Sequence, residues 1–147
     1  MKNQMKEMCK RLTGKLESLK DLPLLFMRLV LAYGFYKPAM MKWKDIDGIA
    51  AWFDGMGMPF PTLNAYMATL TETAGFVLLF LGFATRLISI PLIIVMIVAI
   101  VTVHGFQHFD AGENGFEIPL YYMIMLFTLF VYGSGKFSLQ HLISKKD

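Results

Sequence analysis

The 147-residue chain is 56% hydrophobic and only 17% charged, with a mean hydropathy of +0.51, which excludes an ordinary soluble domain and points to a one-domain membrane protein. Its net charge of +3 is sorted by position between the two faces of a bilayer, so it gives no argument for nucleic acid. Cys9 is the only cysteine, which excludes an internal disulfide, a Cys-x-x-Cys redox pair and a cysteine-built zinc site; redox chemistry would need a bound cofactor.

Residues 1–21 place Met1, Met5, Met8, Leu12, Leu16 and Leu19 at helical spacing, with Lys2, Lys6, Lys10, Arg11, Lys15 and Lys20 on the remaining arc. This predicts a basic amphipathic helix lying on an anionic membrane face; a solvated basic tail is the alternative, because Gly14 interrupts the pattern. The long polar lead without a small-residue cleavage motif argues that the first helix is retained. A spanning helix over about 22–41 follows, with Pro23 in its first turn and Arg28 about 9 Å inside at ~1.5 Å per residue. Ile46, Ile49, Ala50 and Phe53 then recur at helical spacing with Trp43 and Trp52 at interface level, predicting a short surface helix in the first outer loop, closed by Gly55, Gly57, Pro59 and Pro61.

The second span, 63–84, is long enough to cross the ~30 Å of hydrocarbon, yet Glu72 falls near its middle. A carboxylate there faces a bundle interior, finds a partner or stays protonated. A third span, 87–104, is nearly free of polar groups and tolerates Pro91 near its start. Residues 104–117 form a polar, glycine-rich loop, the fourth span covers 117–134, and 138–147 is a basic tail. The expected organisation is thus a basic segment 1–21, a transmembrane domain 22–137 and the tail: an all-α polytopic four-helix up-down bundle.

The loop charges assign sides. The amino tail, Arg86 and Lys136, Lys145 and Lys146 are basic, whereas the third loop has Asp110, Glu113 and Glu117 and no Lys or Arg. Both termini are therefore expected on the cytoplasmic side of the membrane. Lys37, Lys42 and Lys44 in the first loop are discordant and partly offset by Asp45, Asp47 and Asp54.

Arg28 and Glu72 approach the same depth to within roughly one turn when helices are counted as rods. They either lock the first two helices as an ion pair or orient the polar head of a ligand within the bundle. Gly75 and Gly82 leave room on that side of the helix. Lys37, Tyr66, His104 and Glu117 gather toward the outer end, and with Glu72 they are expected to line a cleft with apolar walls and a few polar groups. His104 and His108 are four apart, but Gly105 disfavours a helix there and no third ligand is fixed by spacing, so a solvated loop is the preferred reading and no metal site is assigned. Copper on Met40, Met41, Met56 and Met58 is disfavoured, since Met is ordinary packing material in this chain. Gly133-Ser-Gly-Lys136 lacks the spacing and preceding strand of a phosphate loop and reads as a helix end. No nucleophile motif or catalytic residue is assigned.

The blocks FMRLVLAYGFYK with Arg28, Gly34 and Lys37, TETAGFVLLFLGFATR with Glu72, Gly75, Gly82, Thr85 and Arg86, and GFEIPL followed by GSGKFSLQ with Gly133, Gly135 and Ser138 resemble a DoxX-type membrane protein from Leu25 to Leu142. The first loop also resembles the branch found beside machinery for copper-binding modified peptides. Two details depart from the pattern: Gln140 stands where the tail usually has Asp, and Ser134 where proline is frequent. The resemblance implies a four-helix inner-membrane protein; some relatives are subunits of thiosulfate:quinone oxidoreductases and others are linked to redox or sulfur stress. The expected function is a membrane subunit of a redox assembly holding a quinone or similar lipid-soluble ligand between its helices, with Glu72 and Arg28 orienting the head. The alternative is a non-catalytic membrane scaffold or transport component. Expected partners are the lipid bilayer, a soluble redox or peptide-modifying protein and, for self-association, a second copy.

Overall fold

The computed structural model describes residues 2–106 and 108–145, and every regular element among them is helical. Met1, Gln107, Lys146 and Asp147 lie outside the described residues, as do the side chains of Lys2, Lys10, Arg11, Leu12 and Lys15 that the amphipathic reading uses. In chain order the helices are α1 (Lys2–Leu19), α2 (Asp21–Lys44), α3 (Ile46–Gly55), α4 (Pro61–Leu81), α5 (Thr85–Ala99), α6 (Glu117–Tyr132) and α7 (Leu139–Ser144). A π-helical turn, Ile100–His104, prolongs α5, and a 3-10 turn, Ala111–Glu113, sits in the following loop.

Helix α2 lies along α4, α4 along α5, α5 along α6, and α6 returns to α2, while α3 folds onto α4. Leu31, Ala32, Phe35, Leu79, Ile88, Leu92, Met96, Leu126 and Leu129 fill the space between the four long helices. Ala50, Phe53 and Ala65 form a second small cluster under α3. The burial pattern inverts that of a water-soluble bundle. Arg28, Thr69, Glu72, Thr85 and Ser89 are buried, whereas Phe26, Val30, Phe80, Leu87, Ile94, Val101 and Phe127 face outward. Thr69 and Ser89 meet their hydrogen-bonding need by donating to the carbonyls of Ala65 and Thr85, four residues back, each at 2.7 Å, so their burial leaves no unmade bond at the hydroxyl.

Among the described residues one helix, Thr85–His104, is long and apolar enough to cross a membrane unaided, with a mean hydropathy of 2.7. The others fall short for identifiable reasons. Arg28 and Lys37 interrupt α2, Glu72 and four threonines interrupt α4, and α6 has only 16 residues.

Several boundaries depart from the sequence expectation. Helix α1 runs through Gly14. Helix α2 continues past Pro38 to Lys44, although proline supplies no N–H to the Gly34 carbonyl; Lys42 and Trp43 are therefore helical rather than in a loop. The basic tail contains α7, whose start is set by Ser138 accepting from the His141 N–H at 3.2 Å. Helix α4 stops at Gly82, which sits at φ 68°, and the Phe83 N–H closes back onto the Leu78 carbonyl at 3.0 Å.

Candidate functional site

A cavity of about 640 Å³ opens among α2, α3, α4, α5 and α6. Its walls are mostly apolar, including Phe35, Pro38, Met67, Pro91, Ile94 and Val98, and its polar groups come from Lys42, Asn64, Thr71, Glu72, Thr102 and His104. Glu72 is only 3% exposed. Its Oε1 accepts from Lys42 Nζ at 2.5 Å. Its Oε2 is buried and has no partner among the described residues. Next to this pair, Trp43 Nε1 donates to the Thr73 hydroxyl at 2.9 Å, a second tie between the end of α2 and the middle of α4.

Side-chain direction explains why Lys42, near the C-terminus of α2, reaches the middle of α4. Side chains lean toward the N-terminus of their own helix, so in this antiparallel pair Lys42 leans inward from its end while Glu72 leans toward it. Lys42 also belongs to the inward stripe Arg28, Leu31, Phe35, Ala39, whose three- and four-residue steps lead directly to position 42. That stripe was the available sequence signal. Lys37 lies off it.

Arg28 does not meet Glu72, and the expected pair is replaced by a different arrangement. Arg28 Nε donates to the Leu79 carbonyl at 3.0 Å, Nη1 to the Ser134 and Phe137 carbonyls at 2.7 and 2.8 Å, and Nη2 to the Phe80 carbonyl at 3.3 Å. Leu79 and Phe80 belong to the last turn of α4, where carbonyls carry the negative end of the helix dipole; the Leu79 carbonyl also takes the Gly82 cap N–H at 3.2 Å. They lie seven and eight residues beyond Glu72, about 10–12 Å at ~1.5 Å per residue. Arg28 thus clamps α2, the end of α4 and the loop after α6. A Cβ at Gly82 would collide with its guanidinium. Nearby, Arg86 Nη2 donates to the Val131 carbonyl at 3.1 Å at the end of α6. Asp21 Oδ1 accepts from the Lys136 backbone N–H at 3.1 Å.

The remaining expected cleft residues divide. His104 lines the cavity from the π-helical turn; its Nδ1 donates to the Asn114 carbonyl at 2.9 Å, since a carbonyl can only accept. Lys37 is exposed, with Nζ 5.5 Å from the centre of the Tyr33 ring. Tyr66 is exposed, one position off the buried stripe Ala65, Thr69, Glu72, Gly75, Leu79 of α4. Glu117 accepts from the Ala111 N–H at 3.1 Å and serves the loop. Neither Lys37, Tyr66, Glu117 nor Arg28 lines the cavity.

His104 and His108 part company, His108 Nδ1 lying 3.0 Å from Glu113 Oε2. Among the described residues no three His, Cys, Asp or Glu side chains gather to hold a metal ion. Met56 and Met58 pack against the cluster under α3, and Met41 is exposed.

The DoxX family model matches residues 23–105. The chain is 32% identical over 126 residues to an uncharacterised protein of Haemophilus influenzae, covering 83% of each. It is 30% identical over 79 residues to a Bacillus subtilis protein named "Putative oxidoreductase CatD", covering 54% of this chain and 58% of that one. No solved structure matches it.

Proposed function

The chain belongs to the DoxX family of membrane proteins, and from that premise we propose that it holds a quinone or comparable lipid-soluble ligand beside Glu72, as the membrane subunit of a redox assembly. One observation carries the reading: a buried carboxylate, held by Lys42 at one oxygen and without a partner among the described residues at the other, stands in the wall of a mostly apolar cavity. Apolar walls with a few convergent polar groups are the usual make-up of a small-molecule site, and a membrane carboxylate is costly enough to need a use. Arg28 has no part in this site. The oxidoreductase in the Bacillus relative's name agrees with a redox setting and specifies no ligand.

In this reading α2, α4, the Thr85–His104 helix and α6 each cross the bilayer of the inner membrane, with both termini cytoplasmic. Its support is the outward apolar belt, which would be a large exposed patch in water, and the acidic character of the 104–117 loop. In a Cys9→Ser background, Asn114→Cys is expected to label from outside intact cells and Gln140→Cys is not; the reverse pattern overturns the orientation.

The test of the ligand is mass spectrometry of small molecules retained by gently purified protein. A quinone retained by the native chain and lost from Lys42→Met supports the reading. Capture of a protein partner with no retained small molecule favours the membrane scaffold instead.

A further inference from the structure

We propose that the cavity has a lateral mouth between α4 and α5, and that its occupant is an amphiphile whose polar head sits inside while its apolar tail leaves through that mouth into the bilayer. The inference rests on the quinone reading and the spanning helices above, and deepens them by naming the shape of the ligand and the side from which it enters. On each of the two helices the cavity wall runs from the core to the outer surface. Helix α4 contributes Glu72, which is buried, Thr71, which is half-buried, and Met67, which is 57% exposed; α5 contributes Met96, buried, Val95, half-buried, and Ile94, 56% exposed. A side chain that both lines a cavity and faces outward marks the edge of an opening, and here each helix carries one.

The hairpin and its glycines set where the mouth begins. The turn at Gly82 joins the two helices, so the first half of α4 lies beside the second half of α5. A Cβ at Gly75 would collide with the side chain of Leu92, which is fully buried; there the helices touch, and the mouth starts one turn further from the hairpin, at Thr71. From Thr71 back to Asn64, and from Ile94 on to Thr102 in the π-helical continuation, both helices line the cavity, a slot about 10–12 Å long at ~1.5 Å per residue. Leu70, Ile97 and Val101 stand exposed beside it, so the slot opens within the apolar belt and not onto a polar surface. Size points the same way. The cavity of about 640 Å³ falls within the range of about 300–1,000 Å³ that holds a small-molecule body, so a long apolar chain has to continue outside it. Through the slot that chain stays among groups as apolar as lipid, whereas entry from water would first take every methylene of it out of hydrocarbon.

The experiment uses the native full chain in lipid nanodiscs and a decyl-benzoquinone carrying a diazirine halfway along its tail. Irradiation attaches the tail to whatever lies beside it, and peptide mass spectrometry reads the position. Adducts are expected on α4 between 64 and 71 and on the facing helix between 94 and 102. In about tenfold excess of decylubiquinone they are expected to fall about tenfold, the mass-action ratio for one shared site. Equilibrium dialysis of decylubiquinone against the same nanodiscs, with empty nanodiscs as the blank, shows separately whether the site binds. Saturable binding with competed adducts confined to α6 or the α3 region, at Ile118 or Met58 for instance, overturns the mouth and leaves the quinone site standing. Saturable binding with no adduct that the competitor reduces does the same, since chance contact of dissolved probe with the outer belt is not competed. No saturable binding and no competed adduct overturn both.

Discussion

The two ends of the helical assembly use buried charge in opposite ways. At the end that gathers Asp21, Arg28, Gly82, Arg86 and Gly133–Ser138, the charges meet backbone: Arg28 and Arg86 cap the carbonyls that end α4 and α6, and Asp21 meets the Lys136 N–H. Toward the other end Glu72 and Lys42 meet each other at the edge of a cavity; Glu72 Oε2 and, at the first end, Asp21 Oδ2 are each buried without a hydrogen-bond partner among the described residues, and of the two Glu72 lines the cavity. The first end is built like a latch and the second like a receptacle. A buried ionisable residue in a membrane protein is therefore not a ligand site by default. What distinguishes the two is the identity of the partner: helix-end carbonyls exist in every such fold, while a side-chain pair beside open space can accept a guest.

The largest effect that would break this comparison is at Arg28. Arg28→Leu removes four bonds to carbonyls, and charge-assisted bonds contribute about 1.5–3 kcal/mol each before non-additivity. A loss of about 4 kcal/mol or more is expected in thermal or denaturant unfolding in detergent. Because Arg28 is remote from the cavity, any Arg28→Leu protein that does fold is expected to retain the ligand; loss of ligand without loss of stability would place Arg28 in the binding site after all.

Gly82→Ala comes next, at about 2–3 kcal/mol. The left-handed conformation at φ 68° costs an L-residue about 1–2 kcal/mol, and the new methyl displaces the Arg28 guanidinium. Coupling is the discriminating measurement. In a double-mutant cycle with Arg28→Leu the two losses are expected to overlap, because both act through the same clamp; full additivity would separate them.

These residues also show what was legible in the sequence. Hydrophobic periodicity and loop chemistry put the fourth long helix at its Glu117 start, whereas the second, expected through 84, ends at Leu81 because Gly82 takes the left-handed conformation. Arg28, Gly82 with Arg86, and Gly133 with Gly135 and Ser138 belong to three separate sequence blocks, and nothing in their spacing says that they converge on one latch; that follows from α7 and the preceding loop folding back, where the Gln140 N–H reaches the Gly82 carbonyl at 3.3 Å. The Arg28–Glu72 pairing failed because counting depth along straight rods ignores where each side chain leans. Ending the first span at 41 puts Lys42 in the loop and leaves Lys37 as the basic residue of the expected cleft, a position the structure leaves exposed. The π-helical turn that carries His104 into the cavity wall has no periodic signature, since it differs from the preceding helix by one extra residue per turn.

At the receptacle a smaller effect is expected. Lys42→Met strands Glu72 in an apolar wall, but Lys42 is part-exposed and the carboxylate can neutralise by protonation, so the expected loss is about 2 kcal/mol, below the ~3–5 of a fully buried broken pair. The double variant Lys42→Met with Glu72→Gln removes the charge as well as its partner and is expected to recover to within about 1 kcal/mol of the native chain. Such recovery in stability without recovery of ligand retention would sharpen the distinction between the ends. A double variant as unstable as Arg28→Leu would erase it.

The smallest effect returns to the latch and tests whether its charges act through backbone. Asp21 has two contacts with Lys136: its Oδ1 takes the backbone N–H at 3.1 Å, and its Oδ2 lies 3.8 Å from the exposed Lys136 ammonium. Exposed ion pairs of this length contribute between nothing and about 1 kcal/mol, whereas a charged acceptor on a part-buried N–H contributes about 1.5 kcal/mol or more. Lys136→Ala keeps the N–H and deletes only the ammonium, so its expected cost is below about 0.5 kcal/mol and insensitive to salt. Asp21→Ala deletes both contacts and is expected to cost about 1–2 kcal/mol. The ratio between them is the measurement. If Lys136→Ala destabilises as much as Asp21→Ala, and added salt weakens the native chain to match, the side-chain pair carries the contact and this part of the latch is held by ions rather than by backbone.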